Sequence, residues 1–262
     1  MRVVILGSGA SVPDPDRSSP GQVIEVNNEP LLIDCGPGTT TRLMKSGFEL
    51  TRISRIFFTH LHIDHTLDFP SLVFGNYLLG KKDRTYVHGP PGTHDFCRLL
   101  FEQVYPYAPK IVGIIRKEGL DVAAIDATDR VVYETEGYRV LMARVDHGSD
   151  ITNAYRIEDS HNSVVVSGDT RPCESLIELA NGADVLIQEC SFPDDMEQMA
   201  RITNHSVPSE VGKIAHQARV KTVVLTHLFP QLKGKEKEAV QSVRNEFNGE
   251  IIVSRDLLDL RV

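Results

Sequence analysis

The sequence predicts an α/β fold of two packed β-sheets with helices outside. Three observations predict it. Short apolar strands in the first part give way to strand–helix alternation, and the same succession follows again in the rest of the chain. No low-complexity linker separates these halves, so residues 1–262 read as one domain. Hydrophobic residues make up 41% of the chain, enough for a sizeable core.

Each element has its own signal. Val3–Leu6, Gln22–Val26 and Pro30–Asp34 are short strands punctuated by Gly, Pro and Asn, with a hairpin turn at Asn27–Pro30. Gly38–Gly47 reads as a helix with Leu43 and Met44 facing the sheet, and Arg55–Thr59 as a buried strand. A helix at Phe69–Leu79, a strand at Thr85–His88 and a helix at about Gly92–Val104 follow. Strands are then expected at Ile111–Ile115, Val131–Glu136, Tyr138–Val145, Ala154–Ile157 and Val164–Ser167. The last part alternates: helix Cys173–Ala180, strand Val185–Gln188, helix Ser206–Ala218, strand Val223–Thr226, helix Glu236–Phe247, and a closing strand Ile251–Val253.

Composition excludes several classes. The formal net charge is -8, and no basic block forms a footprint for nucleic acid. Lys233, Lys235 and Lys237 alternate with Glu236 and Glu238, the pattern of a solvated helix face. An acidic protein still binds anions where bound cations dominate the local field. The four cysteines form no Cys-x-x-Cys pair and read as reduced. The opening Arg2–Gly7 segment reads as a strand, and a leader is not expected from it; no run reaches the roughly 18–20 apolar residues of a membrane helix. A cytoplasmic protein is expected. Gly7-Ser8-Gly9-Ala10 lacks the spacing and the following helix of a dinucleotide fingerprint.

The strongest chemical signal is Thr59-His60-Leu61-His62-Ile63-Asp64-His65, followed by Asp68. Imidazole and carboxylate donors in this density suit Zn²⁺, with Mn or Fe as alternatives. The cluster follows the apolar run Ile56-Phe57-Phe58, so alternate side chains at a strand end can enter one cleft.

His-x-His-x-Asp-His after a strand resembles the signature of the metallo-β-lactamase fold superfamily. The resemblance implies a four-layer αββα sandwich with the metals at one sheet edge, and three further ligands downstream. His147, Asp169 and His227 each follow an apolar run and match these in order. Asp34 matches the first motif, where it would orient a ligand histidine. Within the superfamily the chain looks most like ribonuclease Z. Gly168-Asp169-Thr170-Arg171-Pro172 resembles the bridging-aspartate motif of that family, Asn204-His205-Ser206 its extra histidine motif, and Gln188-Glu189-Cys190-Ser191-Phe192 its Glu-containing segment. Two departures stand out. Only 22 positions separate His147 from Asp169, too few for the tRNA-gripping arm usual there. Thr66-Leu67-Asp68-Phe69-Pro70 looks more like arylsulfatase-type relatives.

By this resemblance His60, His62 and His147 would hold one metal, Asp64, His65 and His227 a second, and Asp169 would bridge them. Two such cations would bring the pKa of a shared water toward neutrality, so that a bridging hydroxide attacks phosphorus. Asp64, His205 and Glu189 are the expected catalytic residues, with His205 hydrogen-bonding a phosphate oxygen or protonating the leaving group. Asp34 and Asp68 are expected just behind the ligands, Asp68 alternatively as a helix N-cap. Ser167 and Ser191 are unneeded as nucleophiles. The expected function is a binuclear phosphodiesterase acting on a small phosphodiester or an RNA 3′ end, with tRNA doubtful because the arm is missing. The alternative is an arylsulfate ester, lactone or other ester hydrolase on the same site. Ribonuclease Z relatives are typically homodimers, so a homodimer is expected, with Phe69–Leu79 as a possible face.

Overall fold

A computed structural model describes residues 1–105 and 122–262. The expected strand at Ile111–Ile115 lies outside the described residues.

The chain forms two seven-stranded sheets among the described residues. The first runs β14-β1-β2-β3-β4-β5-β6, from β1 (Arg2–Gly7), β2 (Gly21–Val26), β3 (Glu29–Ile33), β4 (Arg55–Phe57), β5 (Thr85–Gly89), β6 (Val122–Asp126) and β14 (Leu258–Arg261). The second runs β13-β12-β11-β10-β9-β8-β7, from β7 (Val131–Glu134), β8 (Arg139–His147), β9 (Asp150–Glu158), β10 (Ser163–Val166), β11 (Val185–Glu189), β12 (Thr222–Thr226) and β13 (Glu250–Val253). Each sheet is antiparallel on one side and parallel on the other: β3 to β6, and β10 to β13, run parallel. The parallel halves need crossovers, and helices supply them.

The layers follow from strands buried on both faces. In β1, Val3 and Ile5 point between the sheets, where they join Ile24, Leu31, Phe57, Tyr155 and Val224. Val4 and Leu6 point the other way, into a core under α1 (Thr39–Lys45), α3 (Phe69–Leu78) and α4 (Thr93–Leu99). The second sheet packs its outer face, through Leu186 and Val223, against α5 (Glu174–Ala180), α7 (Pro208–Gln217) and α8 (Glu236–Glu246). The result is the αββα sandwich expected. Its first hairpin turns at Asn27 and Asn28, both at positive φ (50° and 63°), as a two-residue connection demands.

Several boundaries moved. The strand expected at Val131–Glu136 stops at Glu134, because Thr135 N–H bonds back to the Tyr138 carbonyl in a turn. The strand expected at Ala154–Ile157 extends to Asp150–Glu158, paired residue by residue with β8. The helix expected from Ser206 starts at Pro208, since Ser206 is spent on the site below. β6, β14, the short helix α2 (Ile63–Thr66) and α6 (Glu197–Thr203) were not expected at all.

Candidate metal centre

The carboxyl ends of parallel strands open onto one edge, where ligands bind in open α/β sheets. From β4 the chain runs through Phe58 and Thr59 to His60, and α2 then carries Asp64 and His65. From the second sheet, β8 ends on His147, β10 leads to Asp169, β11 ends on Glu189 and β12 leads to His227. The local backbone is bent to aim these groups. Asp34 and His227 stand at positive φ (57° and 56°), which turns each side chain off its strand line into the cleft. Gly168, at φ 61°, is needed for space as well: a Cβ there would lie 2.9 Å from the Asn153 carbonyl and from Thr59 Cβ.

Donor atoms of His60, His62, His147 and Asp169 lie within 4.8 Å of one another, and so do those of Asp64, His65, Asp169 and His227. Asp169 belongs to both sets. Its Oδ2 is 3.7 Å from His60 Nε2, 3.4 Å from His65 Nε2 and 3.3 Å from His227 Nε2. His227 Nε2 is also 3.4 Å from Asp64 Oδ2. His60, His65, His147, His227, Asp64 and Asp169 are buried, while the His62 side chain is 44% exposed at the mouth beside Asp150.

Electrostatics separates these neighbours. Burial drives His60 well below its ordinary pKa, His65 beside it adds to the effect, and Asp169 opposes it only in part. Burial acts the same way on His65, but Asp169, Asp34 and Asp64 outweigh it and lift His65 well above the ordinary value. Burial raises Asp169, yet His227, His65 and His60 hold it well below the usual carboxylate range. Inside the cluster, His60 Nε2 and His65 Nε2 are buried without any hydrogen-bond partner. Two orphaned imidazole nitrogens beside two carboxylates are the donor set of a divalent cation, so the residues fit one.

The surrounding shell is built on two carboxylates. Asp34 accepts His65 Nδ1 at 2.8 Å, the Thr59 amide at 2.8 Å and the Thr59 hydroxyl at 2.9 Å. Glu189 Oε1 accepts His205 Nδ1 at 3.2 Å, the Ser206 amide at 2.9 Å and the Thr170 amide at 3.1 Å. His147 Nδ1 faces the Asn204 carbonyl at 3.0 Å. His205 is buried against the cluster, its ring 5.1 Å from His147 and 5.3 Å from His227. Burial pulls its pKa down, but the Glu189 carboxylate overcomes this and lifts it to about 9.

One expected site residue lies elsewhere. The Asp68 carboxylate accepts the Thr40 amide (2.7 Å) and the Thr40 hydroxyl, and does not touch a ligand histidine. It caps the start of α1, whose N-cap Gly38 has no side chain to do so, rather than its own helix. Thr59, Ser191 and the Asn204 carbonyl were missed from sequence. Their neighbours in the motifs were the only signal, since hydrogen bonds to a histidine from 36 or 57 positions away leave no local pattern.

Comparison with known proteins identifies the family. A family model described as "Beta-lactamase superfamily domain" matches residues 30–228. A ribonuclease Z of Ignicoccus hospitalis is 32% identical, covering 93% of each chain. The crystal structure of the metallo-beta-lactamase fold protein YhfI from Bacillus subtilis superposes with a TM-score of 0.83 at 22% identity, covering 99% of this chain and 98% of that one. The human tRNase Z, short form, superposes with a TM-score of 0.78 at 24% identity, covering 100% and 98%. These matches correct one expectation. The interval after His147 is indeed filled by β9, a turn at Asp159–Asn162 and β10. Its shortness is nonetheless no ground for doubting tRNA, because relatives bearing the ribonuclease Z name match along nearly the whole chain. The chain belongs to the beta-lactamase superfamily and, within it, to the company of ribonuclease Z.

Proposed function

We propose that this chain is a metal-dependent hydrolase of phosphodiester bonds that trims RNA 3′ ends, tRNA precursors included. The observation that carries the reading is the pair of donor sets sharing Asp169, with two orphaned imidazole nitrogens inside them. His60, His62 and His147 would hold one divalent cation, and Asp64, His65 and His227 another, with Asp169 common to both. Zinc suits the His/Asp donors best. Divalent cations bound there would supply an activated water and offset charge on the phosphoryl oxygens.

The chain's own groups do the rest. Asp34 holds the His65 ring by Nδ1, and the Asn204 carbonyl holds that of His147, so that Nε2 of each faces the centre. Glu189 holds His205 by Nδ1 and keeps it protonated at neutral pH, leaving its Nε2–H to donate to a phosphate oxygen or to the leaving oxygen. A cleft of about 440 Å³ beside Asp64, walled by Pro13, Pro37, Ile63 and Leu67, is wide enough for a nucleotide next to the scissile bond.

The protein is further read as a cytoplasmic homodimer. Its four cysteines are free, and α3 buries Phe69, Leu72 and Val73 while leaving Leu78 60% exposed for a second copy. A substrate panel tests the activity. With added zinc or manganese, turnover of bis(nitrophenyl) phosphate and of a tRNA precursor with a 3′ trailer is expected. Turnover of an arylsulfate ester or a lactone without either phosphodiester would reject the reading.

A further inference from the structure

We propose that Ser191 is a positioning residue of the centre: it sets which nitrogen of His227 carries the proton and ties that ring to His205 through Glu189. The inference rests on the metal-centre reading above, but its core is a matter of proton bookkeeping within this chain.

Ser191 is fully buried, two residues beyond the end of β11. Its Oγ lies 2.7 Å from Glu189 Oε2 and 2.9 Å from His227 Nδ1. A hydroxyl has one proton to give. The other oxygen of Glu189 takes N–H groups from Thr170, Ser206 and His205, so this carboxylate acts throughout as an acceptor. The Ser191 proton therefore goes to Oε2. Only lone pairs remain on Oγ for His227, and His227 must donate from Nδ1. Its Nε2 is left as the ligand atom, facing Asp64 and Asp169 at 3.4 and 3.3 Å.

The other sheet repeats the device. Thr59 gives its proton to Asp34 Oδ2 at 2.9 Å and lies 3.1 Å from His60 Nδ1, which leaves the orphaned His60 Nε2 pointing at the cluster. Both carboxylates are shared: Asp34 serves His60 through Thr59 and His65 directly, and Ser191 differs in tying a ligand histidine to His205, which lies outside the two donor sets that share Asp169. One oxygen of Glu189 serves His227 through Ser191, and the other serves His205 directly. Replacing the hydroxyl strands Glu189 Oε2 and releases His227 Nδ1 together, while Asp34, Thr59 and His60 are untouched. A loss confined to one of two cations is then expected, of the 10–100-fold order seen when a partner of a ligand histidine is removed.

Two measurements test this. Long-range proton–nitrogen correlation spectra of histidine-labelled protein, with His227 assigned through His227→Gln, should show the His227 proton on Nδ1 both after chelation and after zinc is returned. An Nδ1 without a proton in either state overturns the proposal without any variant at Ser191. Zinc titration calorimetry should then find one equivalent weakened about 10–100-fold in Ser191→Ala and the other unchanged. Ser191→Thr, which returns the hydroxyl, should recover most of the loss. Two wild-type zinc affinities in folded Ser191→Ala, or no recovery in folded Ser191→Thr, overturns it. Absence of zinc binding to the wild-type protein would instead sink the metal reading, and the spectra would still decide the role of Ser191.

Discussion

At the scale of single residues, His205 is the group whose chemistry is most exposed to test. It is one of four partners of Glu189 and lies against both donor sets without belonging to the pair that share Asp169. His205→Ala should lower kcat about 10²–10⁴-fold with cation content unchanged, because proton transfer is lost while the seven donors of the two sets stay in place. Metal analysis beside steady-state kinetics reads both; a fall in bound metal equal to the fall in rate would make His205 a ligand instead. His88 gives a second residue-scale test, away from the centre. It is 3% exposed, stacked on Phe57 at 4.8 Å, and neither ring nitrogen has a hydrogen-bond partner. Burial pushes its pKa from the ordinary 6.5 down to about 4, and the Arg55 guanidinium pushes the same way. The unfolded chain thus takes up a proton near pH 6.5 that the folded chain refuses until about 4. Stability from this source is complete above pH 6.5, falls as the pH drops toward 4, and changes no further below that. The full drop is about 3 kcal/mol. His88→Phe keeps the stack and removes the proton, so the difference in unfolding free energy between wild type and variant should shift by about that amount between pH 7.5 and 4.5 in urea titrations. Parallel curves would contradict the assignment.

At the scale of elements, the two caps at the ends of α1 and α3 are entangled. α1 borrows its cap from Asp68, at the foot of α3. Asp68→Ala should cost about 1 kcal/mol and lower Tm by about 2–4 °C, with zinc affinity unaltered. Parallel loss of zinc would return Asp68 to the neighbourhood of the ligands. Elements also show what a sequence can and cannot disclose. His60, His62, Asp64 and His65 were legible because a helical turn and a strand end bring them together locally, and His147, Asp169 and His227 because each ends an apolar run. β14 was there to be read: Leu258 and Leu260 face the core and alternate with Asp259 and Arg261, a period of two in only four residues. α6 was hidden by its preface, Pro193-Asp194-Asp195, which has the composition of a loop and serves as a short 3₁₀ turn into the helix. For Thr59 and Ser191 the motif neighbours were the only signal. A small hydroxyl residue becomes meaningful only when the fold sets a carboxylate on one side of it and an imidazole on the other.

At the scale of the whole molecule, the inter-sheet core draws Val3, Ile24 and Phe57 from one sheet and Val140, Tyr155 and Val224 from the other. Neither sheet can expose that face without the other losing its cover. Thermal unfolding followed by near- and far-ultraviolet circular dichroism should therefore give one coincident transition, as for a single cooperative unit. Two resolved transitions would mean that the halves are separable.

The placement of the donors has one more consequence. His60 and His227 stand 167 positions apart in the chain, and each donor set takes members from both sheets. A cation held there is a latch across the seam between the halves, and it closes only when both have been laid down in register. At a free concentration one hundred times its dissociation constant, such a cation adds about 2.7 kcal/mol to the folded state. Metal starvation should consequently be felt as a loosening of the molecule, with copies half-assembled at the seam failing to load and so remaining silent as enzymes.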